Sequence, residues 1–245
     1  MAQNIYDDPE FFGAYSNFRR SVLGLDGAAE WPSLRALLPP MQGLRVMDLG
    51  CGFGWFCRWA SEAGAASVLG TDISENMLAR ARAETVDGAV RYLRGDLEAL
   101  DLPSGGLDLV YSSLALHYVE KLEQLFEAVH RAIIPGGTFV FSVEHPIYTA
   151  PVDPGWTTLA DGRRVWPLDS YQREGPRTTD WLVKGVVKHH RTVGTMLNLL
   201  IRQGFAIRHV EEWRPTADQL AVTPQAAQEM DRPMFLLIAA DRRFA

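Results

Sequence analysis

The chain of 245 residues is 47% apolar and 22% charged, the balance of a globular protein large enough to bury a core without disulfides. Its 24 Lys and Arg against 30 Asp and Glu leave a formal charge of −6, with the basic residues scattered, which argues against nucleic-acid binding driven by phosphate neutralisation. The two cysteines, Cys51 and Cys57, build neither a disulfide framework nor a four-ligand zinc site, and no basic leader or membrane-length apolar run occurs. A cytoplasmic protein with no membrane and no nucleic-acid partner is expected.

Asp8-Pro9-Glu10 predicts a helix start: an N-cap, a proline at the first helical position and an acid in the first turn. Phe11, Phe12, Tyr15, Phe18 and Val22 then recur on one face. A short helix over Leu34 to Leu38 stops at Pro39-Pro40. From Leu44, apolar runs alternate with amphipathic helices. Strands are expected over Arg45 to Leu49, Ser67 to Thr71, Val90 to Leu93, Leu107 to Ser112 and Thr138 to Val143. That alternation predicts an α/β fold, a doubly wound and mostly parallel sheet covered on both faces.

Residues 144–191 break the rhythm with prolines and aromatics, and the Asp161-Gly162 turn predicts a hairpin of Trp156 to Leu159 with Arg163 to Trp166. This insertion either covers the ligand face of the sheet or shields a sheet edge. A last helix follows with Thr192 as cap, Met196, Leu197, Leu200 and Ile201 inward, and Gly204 as its stop. Strands over Phe205 to Glu211 and Met234 to Ala240 complete the sheet. One domain over 1–245 is expected: a helical N-terminal cover (1–43), a cofactor-binding core (44–143), the inserted cover (144–191), and the final helix and strands (192–245).

The strongest local signal is Asp48-Leu49-Gly50-Cys51-Gly52-Phe53-Gly54-Trp55, an apolar strand running through alternating glycines into a helix. Glycines admit close backbone approach, and a helix start offers unpaired N–H groups. The G-x-G-x-x-G dinucleotide fingerprint is broken, because Trp55 stands where its third glycine would be. A second acid, Asp72, closes the next strand, where doubly wound folds bind ribose hydroxyls; it could equally turn the chain into the helix capped by Ser74.

These features resemble the first two motifs of class I S-adenosylmethionine-dependent methyltransferases. Gly95-Asp96-Leu97, the run from Leu107 to Tyr118 and Ile134-Pro135-Gly136-Gly137 resemble the succeeding motifs in order and spacing, and the whole chain is similar to small bacterial methyltransferases of the type 11 group. The resemblance implies a Rossmann-like fold and S-adenosyl-L-methionine as cofactor. It implies Asp48, Gly50, Cys51 and Gly52 beside the methionine portion and ribose, Asp72 and Ile73 at the ribose, Asp96 and Leu97 around adenine, and Ser112 and Ser113 near the sulfonium. Tyr15 and Arg20 are candidates for covering the cofactor carboxylate, or else for packing.

No Asn/Asp-Pro-Pro-aromatic motif or Pro-Cys nucleophile of nucleic-acid enzymes is present, and Asp108 lies at the wrong end of its strand for a metal-assisted site, so no metal is expected. A small-molecule acceptor is expected, methylated by in-line displacement. His117 and His145 follow the fourth and fifth strands and are candidate bases; His189 and His190 precede the last helix. Rival readings are a catalytically silent cofactor-binding regulator and a nicotinamide-dependent reductase. The acceptor, the atom methylated and homodimer formation are left open.

Overall fold

The computed structural model describes residues 3–102 and 104–244; Met1 and Ala2 of the N-terminal stretch lie outside them. The N-terminal part forms α1 (Pro9–Ser16), α2 (Arg19–Leu23) and α3 (Trp31–Leu37). Then β1 (Arg45–Leu49), α4 (Trp55–Glu62), β2 (Ser67–Asp72), α5 (Glu75–Ala83), β3 (Val90–Arg94), β4 (Leu107–Ser113), α6 (Leu122–Ala132) and β5 (Ile133–Glu144) alternate as expected. The inserted segment carries α7 (Pro146–Thr149), β6 (Thr157–Thr158), β7 (Arg164–Val165), β8 (Gly175–Trp181) and β9 (Val183–His190). The chain closes with α8 (Val193–Arg202), β10 (Phe205–Glu212), α9 (Ala217–Val222) and β11 (Phe235–Arg242).

Seven strands form one sheet in the order β10-β11-β5-β4-β1-β2-β3. The pairs among β1 to β5 are parallel, and β11 runs antiparallel to both β5 and β10. Side chains alternate across the sheet. Phe139, Phe141, Leu236 and Ile238 bury against α6 and α8, while Val140, Tyr111, Leu237 and Ala239 bury on the other face with α3 and α4. Each such large apolar side chain contributes about 1.5–3 kcal/mol on leaving water. Because β1 and β4 are parallel neighbours that reverse direction of progression across the sheet, their carboxyl ends leave the crevice in which doubly wound folds bind ligands.

Two periodicities fail at named residues. The first helix is broken: Phe18 is extended, α2 restarts at Arg19, and Val22 falls out of phase and is 57% exposed. In α8 the inward face is Met196, Leu199 and Leu200, so Ile201 is 56% exposed rather than buried. The hairpin of β6 and β7 pairs Thr157 with Val165, within the expected span, whereas the longer β8–β9 hairpin was not foreseen.

Candidate active site

The turn between β1 and α4 is fastened to β2, because the N–H groups of Gly50 and Cys51 both donate to the Thr71 carbonyl at 2.8 and 2.9 Å. Gly50 (φ +75°) and Gly52 (φ +52°) take left-handed backbone that side chains rarely adopt. A Cβ on Gly50 would collide with the Ala115 side chain, whereas one on Gly52 would stand in open space. Packing therefore demands the first glycine. The second keeps a volume clear at the wall of a cavity of about 420 Å³ that both residues line.

Asp72 closes β2 on that wall. Its Oδ2 accepts the Gly52 N–H and its Oδ1 the Ser74 N–H, each at 2.9 Å. Burial pushes its carboxyl above the usual carboxylate range, against the opposing pull of those bonds. A carboxylate has about four lone-pair sites, so two backbone donors leave acceptor capacity toward the cavity. Ile73, Asp96, Leu97 and Ser113 share the wall, with Asp96 accepting the Glu98 N–H at 3.0 Å and Ser113 Oγ lying 3.3 Å from Ser142 Oγ. Beside them Leu114 sits at φ +54°. A bulky side chain held there stores strain of order 1–3 kcal/mol at the site.

The structure sets four expected residues behind the wall rather than on it. Asp48 is buried inside β1, its carboxylate accepting from Cys57 Sγ at 3.4 Å. Cys51 is buried, and burial pushes its thiol up to about 11, so it is no nucleophile. Ser112 donates to the Leu49 carbonyl at 2.7 Å and ties β4 to β1. His145 is corrected most plainly: the chain turns straight into α7, its Nδ1 accepts the Ile147 N–H at 3.0 Å as N-cap, and Nε2 lies 2.9 Å from Glu212. Both ring nitrogens are thereby engaged in structure.

Asp48 also yields a pH prediction. Burial raises its carboxyl from 3.8 to about 7, outweighing the Cys57 bond that lowers it. Between those values the folded protein holds a proton the unfolded chain has released, so Asp48 makes stability fall as pH rises through the interval, by up to about 4 kcal/mol. Asp48→Asn is expected to melt several degrees above wild type at pH 8 and alongside it at pH 4, as measured by calorimetric melting across that range. Equal melting temperatures at pH 8 would refute the buried-acid account.

His117 does line the cavity. Its Nδ1 accepts the Glu144 N–H at 3.3 Å, which puts the proton of the neutral ring on Nε2. Desolvation pulls its pKa down to about 4. In this arrangement the neutral ring presents Nε2–H as a donor, while the nitrogen that a base would use is engaged by the Glu144 N–H. Of the other histidines, His190 lies on β9, bonded to Thr149 and the Tyr171 carbonyl.

The remaining walls come from the N-terminal cover, the inserted cover and the start of β11, through residues to which no individual role was expected. Gln3 bonds to Gly185 and Val187 of β9, and Asp7 accepts from Ser74 Oγ and the Asn76 N–H at 2.6 and 3.1 Å, so the N-terminus crosses from the inserted hairpin to α5. Tyr6, between these anchors, faces the cavity, as do Glu144, Tyr148, Trp181, Met234 and Phe235. The Asp8-Pro9 helix start directly after Tyr6 and Asp7 is the nearest signal in the sequence. Tyr15 and Arg20 also line the cavity, and Arg20 NH2 is held by Glu30 at 2.5 Å.

Among the described residues no cluster of three His, Cys, Asp or Glu side chains is placed to hold a metal ion, and no helix is long and apolar enough to cross a membrane. A family model for a methyltransferase domain matches residues 47–141. The crystal structure of an S-adenosylmethionine-dependent methyltransferase from Mesorhizobium loti is 66% identical, covers 89% of this chain and 100% of that one, and superposes with a TM-score of 0.87. An uncharacterized protein of Haemophilus influenzae is 34% identical across 97% of this chain and 96% of its own length. The malonyl-acyl-carrier-protein O-methyltransferase of Pectobacterium atrosepticum is 36% identical over 148 residues, and the chain spans about half of it, 51%. The glycine turn, the acid that closes β2 and these likenesses agree: the chain belongs to the class I S-adenosylmethionine-dependent methyltransferases.

Proposed function

We propose that the cavity holds S-adenosylmethionine along the carboxyl ends of β1 and β2 and a small organic methyl acceptor against the inserted segment. The observation that carries this is the pairing of open space at Gly52 with the Asp72 carboxylate on one wall, a cradle that a Cβ would fill. Asp72 is positioned to accept ribose hydroxyls, Asp96 and Leu97 to flank the base, and Ser113 to stand at the reacting end. When bound, the cofactor supplies a methyl group already activated on a sulfonium. The protein's task is alignment and exclusion of water, which in well-oriented systems is worth about 7–11 kcal/mol.

His117 acts in this reading as a neutral donor that orients the acceptor through Nε2–H. The reductase reading is set aside by family membership, and turnover separates an enzyme from a silent binder. The acyl-carrier-protein substrate of the partial relatives is not carried over to this chain, whose match covers half of them.

Calorimetry with S-adenosylhomocysteine is expected to give one saturable site per chain. Nuclear magnetic resonance is expected to show no His117 ring titration between pH 5 and 8, because protonation waits until about pH 4. No binding would reject the cofactor site, and a titration near pH 6.5 would restore His117 as a base.

A further inference from the structure

The acceptor side of the cavity is walled by Tyr118, Tyr148, Trp181 and Phe235, with His117 and Met234 between them. These come from the 3-10 turn of residues 116–118 that follows β4 and from α7, β8 and β11 respectively, so four separate elements line one space with flat rings. Planar ligands pack well against such faces.

Among the described residues, the buried cations near that space are already paired. Lys188 is 4% exposed, and its Nζ pairs with Glu144 Oε1 at 2.6 Å and stands 4.9 Å from the Trp181 ring centroid. Arg20 pairs with Glu30, whose side chain is 1% exposed. Arg19 sits at the exposed rim. In the adjoining cavity of about 360 Å³, which shares Glu144, Tyr148 and Trp181 with the first, Arg177 turns its N–H groups onto the carbonyls of Ala150, Ser170 and Arg173.

A carboxylate entering here would be desolvated beside the Glu144 carboxylate, while among the described residues the buried cations are paired and Arg19 stays at the exposed rim. An ammonium would be repelled by Lys188 and Arg20, whereas a neutral N–H or O–H donor can use the second oxygens of Glu144 and Glu30, which are buried without a hydrogen-bond partner. Resting on the methyltransferase reading, we propose that the acceptor is an uncharged planar molecule, an aromatic or conjugated ring bearing an N–H or O–H group, and that the Glu144–Lys188 pair excludes anionic acceptors. This separates the chain from relatives named for a malonyl substrate, whose free end is a carboxylate.

The test uses two nearly isosteric probes, the neutral indole-3-acetamide and the anionic indole-3-acetate, titrated by calorimetry into the full chain saturated with S-adenosylhomocysteine. Saturation is established first, so its failure strikes the cofactor reading and not the wall. The amide is expected to bind at least about tenfold tighter than the acetate. Glu144→Gln uncovers the Lys188 charge and should shrink that preference by about tenfold or invert it. Glu144→Gln with Lys188→Met removes both charges and should restore it, a recovery that a merely misfolded single variant would not show. Equal or tighter acetate binding by wild type, no binding of either probe at millimolar concentration, or an unchanged ratio in Glu144→Gln that still melts cooperatively would overturn the proposal.

Discussion

Gly52→Val is expected to abolish binding of S-adenosylhomocysteine, a loss of at least about 100-fold, or about 2.7 kcal/mol. A Cβ at this position meets no atom within 4 Å beyond its chain neighbours, so what the side chain enters is the clear volume at the cavity wall. The substitution also forces a β-branched residue to φ +52°, and left-handed backbone costs a non-glycine residue about 1–2 kcal/mol. Against a typical stability of about 5–15 kcal/mol the protein should still fold, melting a few degrees lower. Gly43 separates the two effects: it has φ +77°, its Cβ would also stand in open space, and it is not on the cavity wall. Gly43→Val should show the same melting penalty with unchanged affinity. If Gly52→Val folds and binds as wild type does, the cofactor does not lie along this turn.

The parts of the fold legible in the sequence were those encoded locally. The strands flanking the glycine turn announce themselves as short apolar runs ended by Gly or Asp, and Ser74 and Thr192 cap their helices through hydrogen bonds to Met77 and Thr195. What was not legible depends on meetings across the chain. The β8–β9 hairpin reverses at Leu182 with φ +64°, a residue type that does not mark a turn, while Asp180 and Gly185, which bond across the reversal, stand two and three residues to either side. Glu144 is one residue past the expected end of a strand, and only Lys188, 44 positions away, makes it half of a buried ion pair. His145 illustrates the opposite failure. Its place after β5 suggested chemistry, yet Pro146 starts a helix at once and the ring is consumed as its cap. Asp48 likewise carries the motif's first acid, but β1 is covered on both faces, and the cover that buries Val46 on one side and Met47 on the other buries it too.

Asp72→Ala is expected to weaken S-adenosylhomocysteine binding at least about tenfold, since each charge-assisted hydrogen bond lost is worth about 1.5–3 kcal/mol. The structure adds a stability cost absent from a ribose-only role, because the Gly52 and Ser74 N–H groups lose their acceptor. Leaving such groups unsatisfied costs about 1–3 kcal/mol each where water cannot reach them. Affinity and melting temperature should therefore fall together in Asp72→Ala, and pH distinguishes the causes. Burial raises the Asp72 carboxyl, so it gains its proton at a higher pH than an ordinary aspartate. Lowering the pH through that region should weaken binding by wild type, as the carboxylate that accepts ligand hydroxyls is neutralised, while Asp72→Asn, with no charge to lose, stays flat. Folding contributes with the opposite sign, since a group whose folded pKa is raised adds stability as pH falls. A ligand affinity that drops in acid while the unliganded protein is not destabilised by Asp72 would thus place the charge at the ligand; parallel pH profiles for wild type and Asp72→Asn would reduce Asp72 to the residue that ties the glycine turn to α5.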